Sequence, residues 1–430
     1  MDRKAVRAWI LYDAANSAYV TTMVAAVLPI FYADVAGANL ADHLKVSYWG
    51  YTQSIGVVIV ALLAPVLGAI ADVSGRKLHF LRFFTYLGVL ATALFVFVGS
   101  GDWLLASLLV IAGTVGFSGG NVFYDSMLTD LVPPEKRDMV SSKGYMAGYV
   151  GGGLLLAINL LMIQKYEWFG LDSALQGTHL AFLSVALWWF MFSLPIFRHA
   201  GPHLPKAQIQ ARAAGYALAG FRRLIGTFGK IKRFPELLKY LLAFWLFNDG
   251  INTVITMATI YGKSIGIGTT DLIAALLITQ FVAVPFTLLF GRFAERIGAK
   301  AALYVSLSVY VVIISLGYFM TSAAHFYGLA VMVGMVQGGS QAIARSIFSR
   351  LAPRRQSAEF FGFLSVSSKL SSSFGPFMFG LASQVFASSR AGILALLVFI
   401  VGGMLMLMTV NLTKGEREAE AADRELAAAG

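Results

Sequence analysis

Long hydrophobic stretches alternate along this chain with short segments that hold most of its charged residues. A helix that crosses a bilayer needs about 20 mostly apolar residues, and twelve stretches reach that length. Backbone N–H and C=O groups in hydrocarbon have to pair within their own segment, so each stretch is predicted to be a helix. The predicted spans are 9–33, 47–71, 81–100, 103–131, 142–163, 178–197, 237–261, 272–293, 301–321, 326–347, 359–386 and 391–412.

The composition fits a chain whose main solvent is lipid. Hydrophobic residues make up 58% of the sequence, charged residues make up 13%, and the mean hydropathy is +0.72. Soluble domains average about 25% charged residues. The first apolar stretch, 8–36, is longer than the core of a signal peptide, which has roughly 7–15 residues. It is therefore predicted to remain as the first span.

Cysteine is absent from the sequence, which excludes disulfides, thiolate catalysis and cysteine-ligated zinc. The six histidines are scattered and show no metal-ligand spacing. The sequence therefore predicts no metal site, no cofactor and no catalytic residue.

Lysine and arginine concentrate in alternate loops: before the first span and after the second, fourth, eighth and tenth. Cytoplasmic loops carry such an excess, and an even number of spans puts both termini on one side. We expect a monomeric, multi-pass protein of a bacterial-type inner membrane, with both termini in the cytoplasm. The net charge of +11 then needs no nucleic-acid partner.

The predicted organisation has four parts. Residues 1–197 and 237–412 form two six-helix bundles, 198–236 is a basic cytoplasmic linker, and 413–430 is a cytoplasmic tail. Apolar residues recur at helical spacing between the basic residues of the linker, which favours an amphipathic helix on the anionic inner leaflet. An ordinary linker is the alternative. The tail is predicted to be a short solvated helix or disordered.

An internal repeat relates the two bundles. Residues 13–17 and 249–253 both read Asp-x-x-Asn followed by a hydroxyl residue. Residues 68–77 and 291–300 share a glycine, an acid, a second glycine and a final lysine in the same places. Residues 121–126 read Asn-x-x-x-Asp-Ser, and 341–346 read Gln-x-x-x-Arg-Ser. Three collinear matches predict a duplicated six-helix unit, the arrangement of transporters whose solute binds near the midplane.

The segment 68–77 resembles the signature loop of the major facilitator superfamily, Gly-x-x-x-Asp-Arg-x-Gly-Arg-Arg/Lys, and departs from it at Val73. The resemblance implies two pseudo-symmetric bundles of six transmembrane helices. It also implies that the loop and its repeat latch conformations rather than bind solute. The latch residues are Gly68, Asp72, Gly75, Arg76, Lys77, Gly291, Glu295 and Gly298.

Four further motifs resemble the vacuole-effluxer-like family, whose fungal members are tied to amino-acid efflux during autophagy. They are Leu-Tyr-Asp-Ala-Ala-Asn-Ser-Ala-Tyr at 11–19, Phe-Tyr-Asp-Ser-Met-Leu at 123–128, Ser-x-Gly-Tyr-x-x-Gly-Tyr-x-Gly-Gly at 142–152, and Gln-Ala-x-x-Arg-Ser-x-Phe at 341–348 with Glu-Phe-Phe-Gly-Phe at 359–363. The resemblance spans nearly the whole chain. It implies the family more strongly than it implies a substrate.

Ionisable residues within spans are costly and are candidates for function. Five are predicted here, together with polar neighbours on the same helix faces. The cavity candidates are Asp13, Asn16, Asn121, Asp125, Asn248, Asp249, Asn252, Gln337, Gln341, Arg345 and Lys369. Asp13 and Asn16, like Asp249 and Asn252, share a helix face. They are interpreted as a cavity lining that binds a proton or cation, or as a packing clamp or helix cap.

Gln337, Gln341 and Arg345 form one polar stripe on the tenth span, and Asn121 and Asp125 form its counterpart on the fourth. An arginine fork suits a carboxylate, and Asp125 can take an ammonium, so the pair fits an amino acid or another zwitterion. The alternative is a gate in which the two residues pair with each other or with loop residues.

Lys369 lies in a serine-rich stretch that is too polar to face lipid. A buried lysine there can neutralise an anionic group or carry a proton. The alternative is a structural ion pair with Asp125 or Glu359.

These features favour a secondary transporter that exports a small polar solute by alternating access, with amino acids and proton coupling as hypotheses. No phosphate-binding Gly-x-x-x-x-Gly-Lys-Ser/Thr loop is present to indicate ATP. A lipid or lysolipid flippase and a non-transporting receptor remain as alternatives. An intramembrane enzyme with a metal–diphosphate site at Asp125 and Asp130 is a weaker one, because Asp130 corresponds to Arg350 in the second half.

Overall fold

The computed structural model describes residues 2–73, 76–132, 134–204, 226, 229–353, 360, 363–364, 367–369 and 371–428. Within those ranges every regular element is a helix, which confirms the predicted all-helical fold. The chain divides into two compact units, Met1–Phe221 and Arg222–Gly430. Nine helices in the described ranges are long and apolar enough to cross a membrane.

The described part of the first unit contains six long helices. In chain order, α1 to α6 are Arg3–Ala36, Asp42–Val73, Lys77–Phe97, Trp103–Leu131, Pro134–Gln164 and Ala174–His199. Helix α1 packs against α5 and α6, α4 packs against α2 and α3, and α3 also contacts α6. The side chain of Asp2 caps α1 by accepting the backbone N–H of Lys4 at 2.7 Å.

The second unit repeats this packing. Its helices α7 to α13 are Pro235–Ser264, Thr269–Ile297, Ala299–Tyr318, Ala323–Leu351, Phe374–Val385, Ser389–Met408 and Leu412–Ala428. Helix α7 packs against α11 and α12, α10 packs against α8 and α9, and α9 also contacts α12. Each of the five pairings given for the first unit thus has its counterpart in the described part of the second, as the sequence repeat predicts.

The first helices of the two units differ in their winding. Helix α1 is π-helical over Tyr19–Ala26 and Tyr32–Ala36, whereas α7 is α-helical from end to end. π-helical turns are rare and often lie at functional sites. The first of them begins two residues after the Asp-x-x-Asn-Ser motif, so the units have diverged in backbone as well as in charge.

The eleventh span is interrupted at Ser372 and Ser373, just before α11 begins at Phe374. Pro376 lies in the first turn of α11 and has no N–H, so it cannot donate to the carbonyl of Ser372. Helix α5, which occupies the equivalent place in the packing of the first unit, runs unbroken. The break therefore has a local cause in the sequence, and it distinguishes the second unit from the first.

The C-terminal tail is a helix, α13, and the alternative of disorder is wrong for residues 412–428. The helix is not simply solvated, because it packs on α7 and α10 and buries Gly415 and Ala419. Its start is held by the buried carboxylate of Glu236, which accepts the backbone N–H of Asn411 at 2.7 Å. Lys239 and Lys414 pair with the same carboxylate at 3.0 and 3.5 Å.

The linker prediction lies mostly outside the described residues, which omit 205–225 and 227–228.

Large apolar side chains cover the outer faces of both units, where lipid is their natural solvent. Examples exposed by more than two thirds are Phe97, Trp168, Phe281, Phe319, Phe386 and Val398.

Candidate functional site

The first candidate site surrounds Asp13, which lies about three turns inside α1. Because Asp2 caps this helix, the alternative that Asp13 is an N-terminal cap is wrong. The half-buried Asp13 carboxylate is hydrogen-bonded by the hydroxyl of Ser17. A Cβ at Gly144 would lie 2.9 Å from Asp13 Oδ2, and one at Gly148 would lie 2.5 Å from Ser17 Oγ. The two glycines of α5 thus leave the space that the carboxylate and hydroxyl occupy.

The amides of the first unit link α1 to α4. Asn16 Nδ2 donates to Asn121 Oδ1 at 2.7 Å, and Asn16 is only 2% exposed while Asn121 is half-buried. An amide pair held this way fixes the relative position of two helices. Asn16 therefore has a structural contact with α4.

An aromatic cluster that the sequence motifs did not reveal supports the same region. Trp9 Nε1 donates to the carbonyl of Tyr124 at 2.9 Å, and the two rings stack with centroids 4.5 Å apart. The Tyr12 hydroxyl hydrogen-bonds that of Thr85 at 2.9 Å. The Trp9 contacts hold the end of α4 against α1, and the Tyr12 bond joins α1 to α3. Asp125, the residue after Tyr124, is exposed and lies close enough to Asp13 for electrostatic interaction.

The latch residues of the first unit are only partly described. Gly75 lies outside the described residues, Gly68 and Asp72 belong to α2 without described side chains, and Arg76 is exposed. Lys77 is buried and pairs with Asp130 of α4 at 2.7 Å, and its Nζ also lies 3.4 Å from the carbonyl of Ser126.

This ion pair changes the interpretation of Asp130. Its carboxylate is held by Lys77, which leaves little support for a metal–diphosphate site with Asp125. Among the residues whose placement is described, no cluster of histidine, aspartate and glutamate could hold a metal ion.

In the second unit the lysine of the latch has a different partner. Lys300 donates to the carbonyl of Val410 at 2.6 Å, at the end of α12. Arg350 stands where the first unit has Asp130, and it lies 3.7 Å from Glu416 of α13. Gly298 joins α8 to α9 at a φ of 90°, a backbone conformation that favours glycine. The side chain of Glu295 and the surroundings of Gly291 lie outside the described part.

The second candidate site surrounds Asp249, on the side of α7 that faces α11. Asp249 is 2% exposed, and its carboxylate accepts the backbone N–H of Gly375. The Thr253 hydroxyl lies beside this carboxylate and donates to the Asp249 carbonyl at 2.8 Å. Asp249 Oδ1 has no hydrogen-bond partner among the described atoms. A charged aspartate at the centre of a span costs about 2.5–3.5 kcal/mol on insertion scales, so this burial calls for a reason.

The two sites share a glycine that faces the aspartate and the hydroxyl residue, which the sequence repeat alone did not show. A Cβ at Gly375 would lie 2.7 Å from Asp249 Oδ1 and would overlap the hydroxyl of Thr253. Gly375 thus stands to Asp249 and Thr253 as Gly148 stands to Asp13 and Ser17. The neighbouring Asn248 and Asn252 are half-buried.

The polar stripe of α10 becomes more exposed along its length. Gln337 is half-buried and lines an apolar cavity inside the second unit. The side chains of Gln341 and Arg345 are exposed. A charged side chain in a span that is exposed from its own bundle cannot face lipid at low cost. Water, solute or another part of the protein has to contact Arg345.

Lys369 is half-buried in the segment that precedes the break in the eleventh span. The nearby hydroxyls of Ser371 and Ser372 donate to the carbonyls of Ser368 and Lys369 at 3.0 and 2.9 Å. Those bonds satisfy the hydroxyls locally. Ser367 in turn accepts the indole N–H of Trp245 at 3.1 Å, which ties the segment to α7.

Comparison with known proteins agrees with this geometry. The profile of the vacuole effluxer Atg22-like family matches residues 41–420. An uncharacterized MFS-type transporter, YxiO, of Bacillus subtilis (strain 168) is 36% identical over 95% of both chains. Autophagy-related protein 22 of Pichia angusta is 26% identical over 88% of this chain and 78% of the fungal protein.

The fold itself is that of solved transporters. The crystal structure of a D-xylose-proton symporter superposes with a TM-score of 0.69 at 14% identity, covering 96% of this chain and 98% of the symporter. Such a likeness shows the fold and leaves the solute open. The chain therefore belongs to the vacuole effluxer Atg22-like family, and it is a multi-pass membrane transporter with the twelve-helix fold of the major facilitator superfamily.

Proposed function

We propose that this transporter exports a small polar solute of the amino-acid class and that protons drive the export. The observation that carries the solute class is the exposure of two opposite charges within spans, Asp125 on α4 and Arg345 on α10. Each stands at the same place in its six-helix unit, and a charged side chain exposed within a span needs a polar environment. A zwitterion carries both complementary charges. The family name supports export, since its members are described as vacuole effluxers.

Arg345 is the residue proposed to bind the solute carboxylate. A guanidinium holds a carboxylate by two parallel hydrogen bonds, and a hydrogen bond to a charged group contributes about 1.5–3 kcal/mol. Arg345→Ala is therefore expected to weaken amino-acid binding by about ten- to a hundred-fold. The matched control is Arg350→Ala on the same helix, because Arg350 pairs with Glu416 and lies off the stripe.

Binding is measured by the shift in melting temperature of the purified full chain with the twenty amino acids, sugars and lysolipids. Stabilisation by amino acids that Arg345→Ala abolishes and Arg350→Ala keeps is the expected result. Stabilisation by lysolipids alone would favour a flippase. Stabilisation by amino acids that survives Arg345→Ala would remove the proposed role of this residue.

We also propose that the protein lies in a bacterial-type inner membrane with both termini in the cytoplasm. Basic residues in alternate loops support that orientation. The absence of native cysteine allows single cysteines to be placed at Asp172, between α5 and α6, and at Thr413, after α12. In intact cells a membrane-impermeant thiol reagent should label Asp172→Cys and spare Thr413→Cys. The opposite pattern would reverse the orientation.

A further inference from the structure

The break in the eleventh span lies against a buried carboxylate that the transport proposal does not use. Helix α11 begins at Phe374, and the N–H of its second residue, Gly375, donates to Asp249 of α7. The first turn of a helix carries partial positive charge that favours an anion. Ionised Asp249 thus acts as an interhelical cap for α11, because Pro376 interrupts the backbone ladder at this point.

This contact gives a hydrogen bond to one oxygen of the carboxylate and, in the described part of the chain, leaves the other without one. Asp249 Oδ1 has no hydrogen-bond partner among the described atoms, and the whole residue is 2% exposed. The Thr253 hydroxyl donates its hydrogen to the backbone carbonyl of Asp249 at 2.8 Å. Gly375 packs so closely that a methyl group there would lie 2.7 Å from Oδ1. A bound proton needs no additional volume, whereas a hydrated or multiply coordinated metal ion needs a cavity.

Charged groups on the neighbouring elements do not neutralise this carboxylate in the described part of the chain. Helix α11 carries no ionisable residue. Arg390 of α12 donates to the carbonyls of Tyr318 and Met320 at the far end of its helix. Apart from tyrosines, the other ionisable side chains described on these elements are Glu236, Lys239 and Lys263 on α7, Asp271 and Arg296 on α8, Lys300 on α9, His325, Arg345 and Arg350 on α10, Lys369 before the break, and Lys414, Glu416, Arg417, Glu418, Glu420, Asp423, Arg424 and Glu425 on α13. None of them acts on Asp249 in this structure.

The equivalent carboxylate of the first unit lacks this combination. Asp13 is half-buried, interacts with the charge of Asp125, and faces the unbroken helix α5. Its glycine neighbours belong to a continuous helix whose N–H groups are used within the helix. In the described part of the chain, the second unit therefore has a buried carboxylate at the N-terminus of a helix, and the first unit does not.

We propose that Asp249 is the residue that binds and releases the coupling proton, and that its protonation loosens the contact between α7 and the N-terminus of α11. The step forms an O–H bond at Oδ1 and breaks one O–H bond of a hydronium ion, which becomes water. The neutral acid no longer supplies the negative charge that stabilises the first turn of α11. The inference deepens the proposed function by naming the coupling residue, and it rests on that function for the link to solute.

Infrared difference spectroscopy of the full-length protein in nanodiscs tests proton binding without any solute. The carboxylic C=O band that appears as pH falls should disappear in Asp249→Asn and persist in Asp102→Asn, which removes an exposed carboxyl outside the helix bundle. Loss of the band in Asp13→Asn instead would assign the proton to the first unit. A band unchanged in Asp249→Asn would overturn the proposal.

A second measurement uses the native Asp249. Trp245 bridges α7 to Ser367 of the segment before the break at 3.1 Å, so its emission reports this contact. Emission that changes with the same pH midpoint as the C=O band, and that is lost in Trp245→Phe, is the expected result. Emission that is flat across the C=O transition would overturn the proposed loosening.

Transport in proteoliposomes separates the inference from the function on which it rests. With a mixture of radiolabelled amino acids, Asp249→Asn should lose pH-gradient-driven accumulation by at least about ten-fold, whereas Asp102→Asn should keep it. Undiminished accumulation would reject Asp249 as the coupling residue. Absence of amino-acid transport by the native chain would reject the proposed solute and leave the infrared assignment standing.

Discussion

At the residue scale, glycines decide where polar side chains can lie inside each bundle. Gly148 and Gly375 face an aspartate and a hydroxyl residue of the helix beside them, and a Cβ at either position would collide with the hydroxyl. Small residues let helices approach in membranes. Here they also leave space for a carboxylate and a hydroxyl group.

Gly148→Ala is expected to destabilise the first unit by about 1–3 kcal/mol, the usual cost of overpacking, because its Cβ would lie 2.5 Å from Ser17 Oγ. The matched control on the same helix is Gly153→Ala. Nothing lies within 4 Å of its Cβ position, and alanine favours helix over glycine by about 0.8–1.0 kcal/mol. Thermal unfolding of the two purified variants measures the difference. Equal stability would show that α5 shifts to accept the methyl group.

At the element scale, the sequence predicts the helices and misses how three of them deviate. The twelve spans follow from hydropathy because backbone groups in lipid have to pair internally. The π-helical turns of α1 do not change the hydropathy profile, so hydropathy does not predict them. The break before α11 did have a local signal, since Pro376 follows a run of serines, but a helix in a bundle often tolerates proline. The folded tail depends on the buried Glu236, whose partners are distant in sequence.

Glu236→Gln is expected to loosen α13. The substitution removes the charge that holds Lys239 and Lys414, and it leaves the Asn411 N–H with a weaker acceptor. Both lysines are partly exposed, so solvent screening limits the loss to the lower part of the 1.5–3 kcal/mol typical of charged hydrogen bonds. Hydrogen exchange of residues 412–428 should accelerate about ten-fold. Glu425→Gln, on the exposed face of the same helix, serves as the control. An unchanged rate of hydrogen exchange in Glu236→Gln would show that other contacts hold α13.

At the scale of the whole molecule, duplication followed by divergence explains most of what is seen. The two units share their helix packing. In each unit a glycine also faces an aspartate and a hydroxyl residue of the first helix. They differ in the winding of the first helix, in the continuity of the fifth, and in the sign of the charge on the fourth. The sequence predicted the fold and the charge difference, because both follow from residue types. It did not predict the partners of Lys77 or the glycine that faces each aspartate, because those contacts join residues that are distant in sequence.

The measurement that tests the account most directly is amino-acid transport by the purified protein in proteoliposomes. Vesicles loaded with a mixture of radiolabelled amino acids should release it faster when an inward proton gradient is imposed, and Arg345→Ala should slow that release by at least about ten-fold while Arg350→Ala does not. Release that is indifferent to the protein, or equal in both arginine variants, would contradict the proposal that this transporter exports amino acids through Arg345.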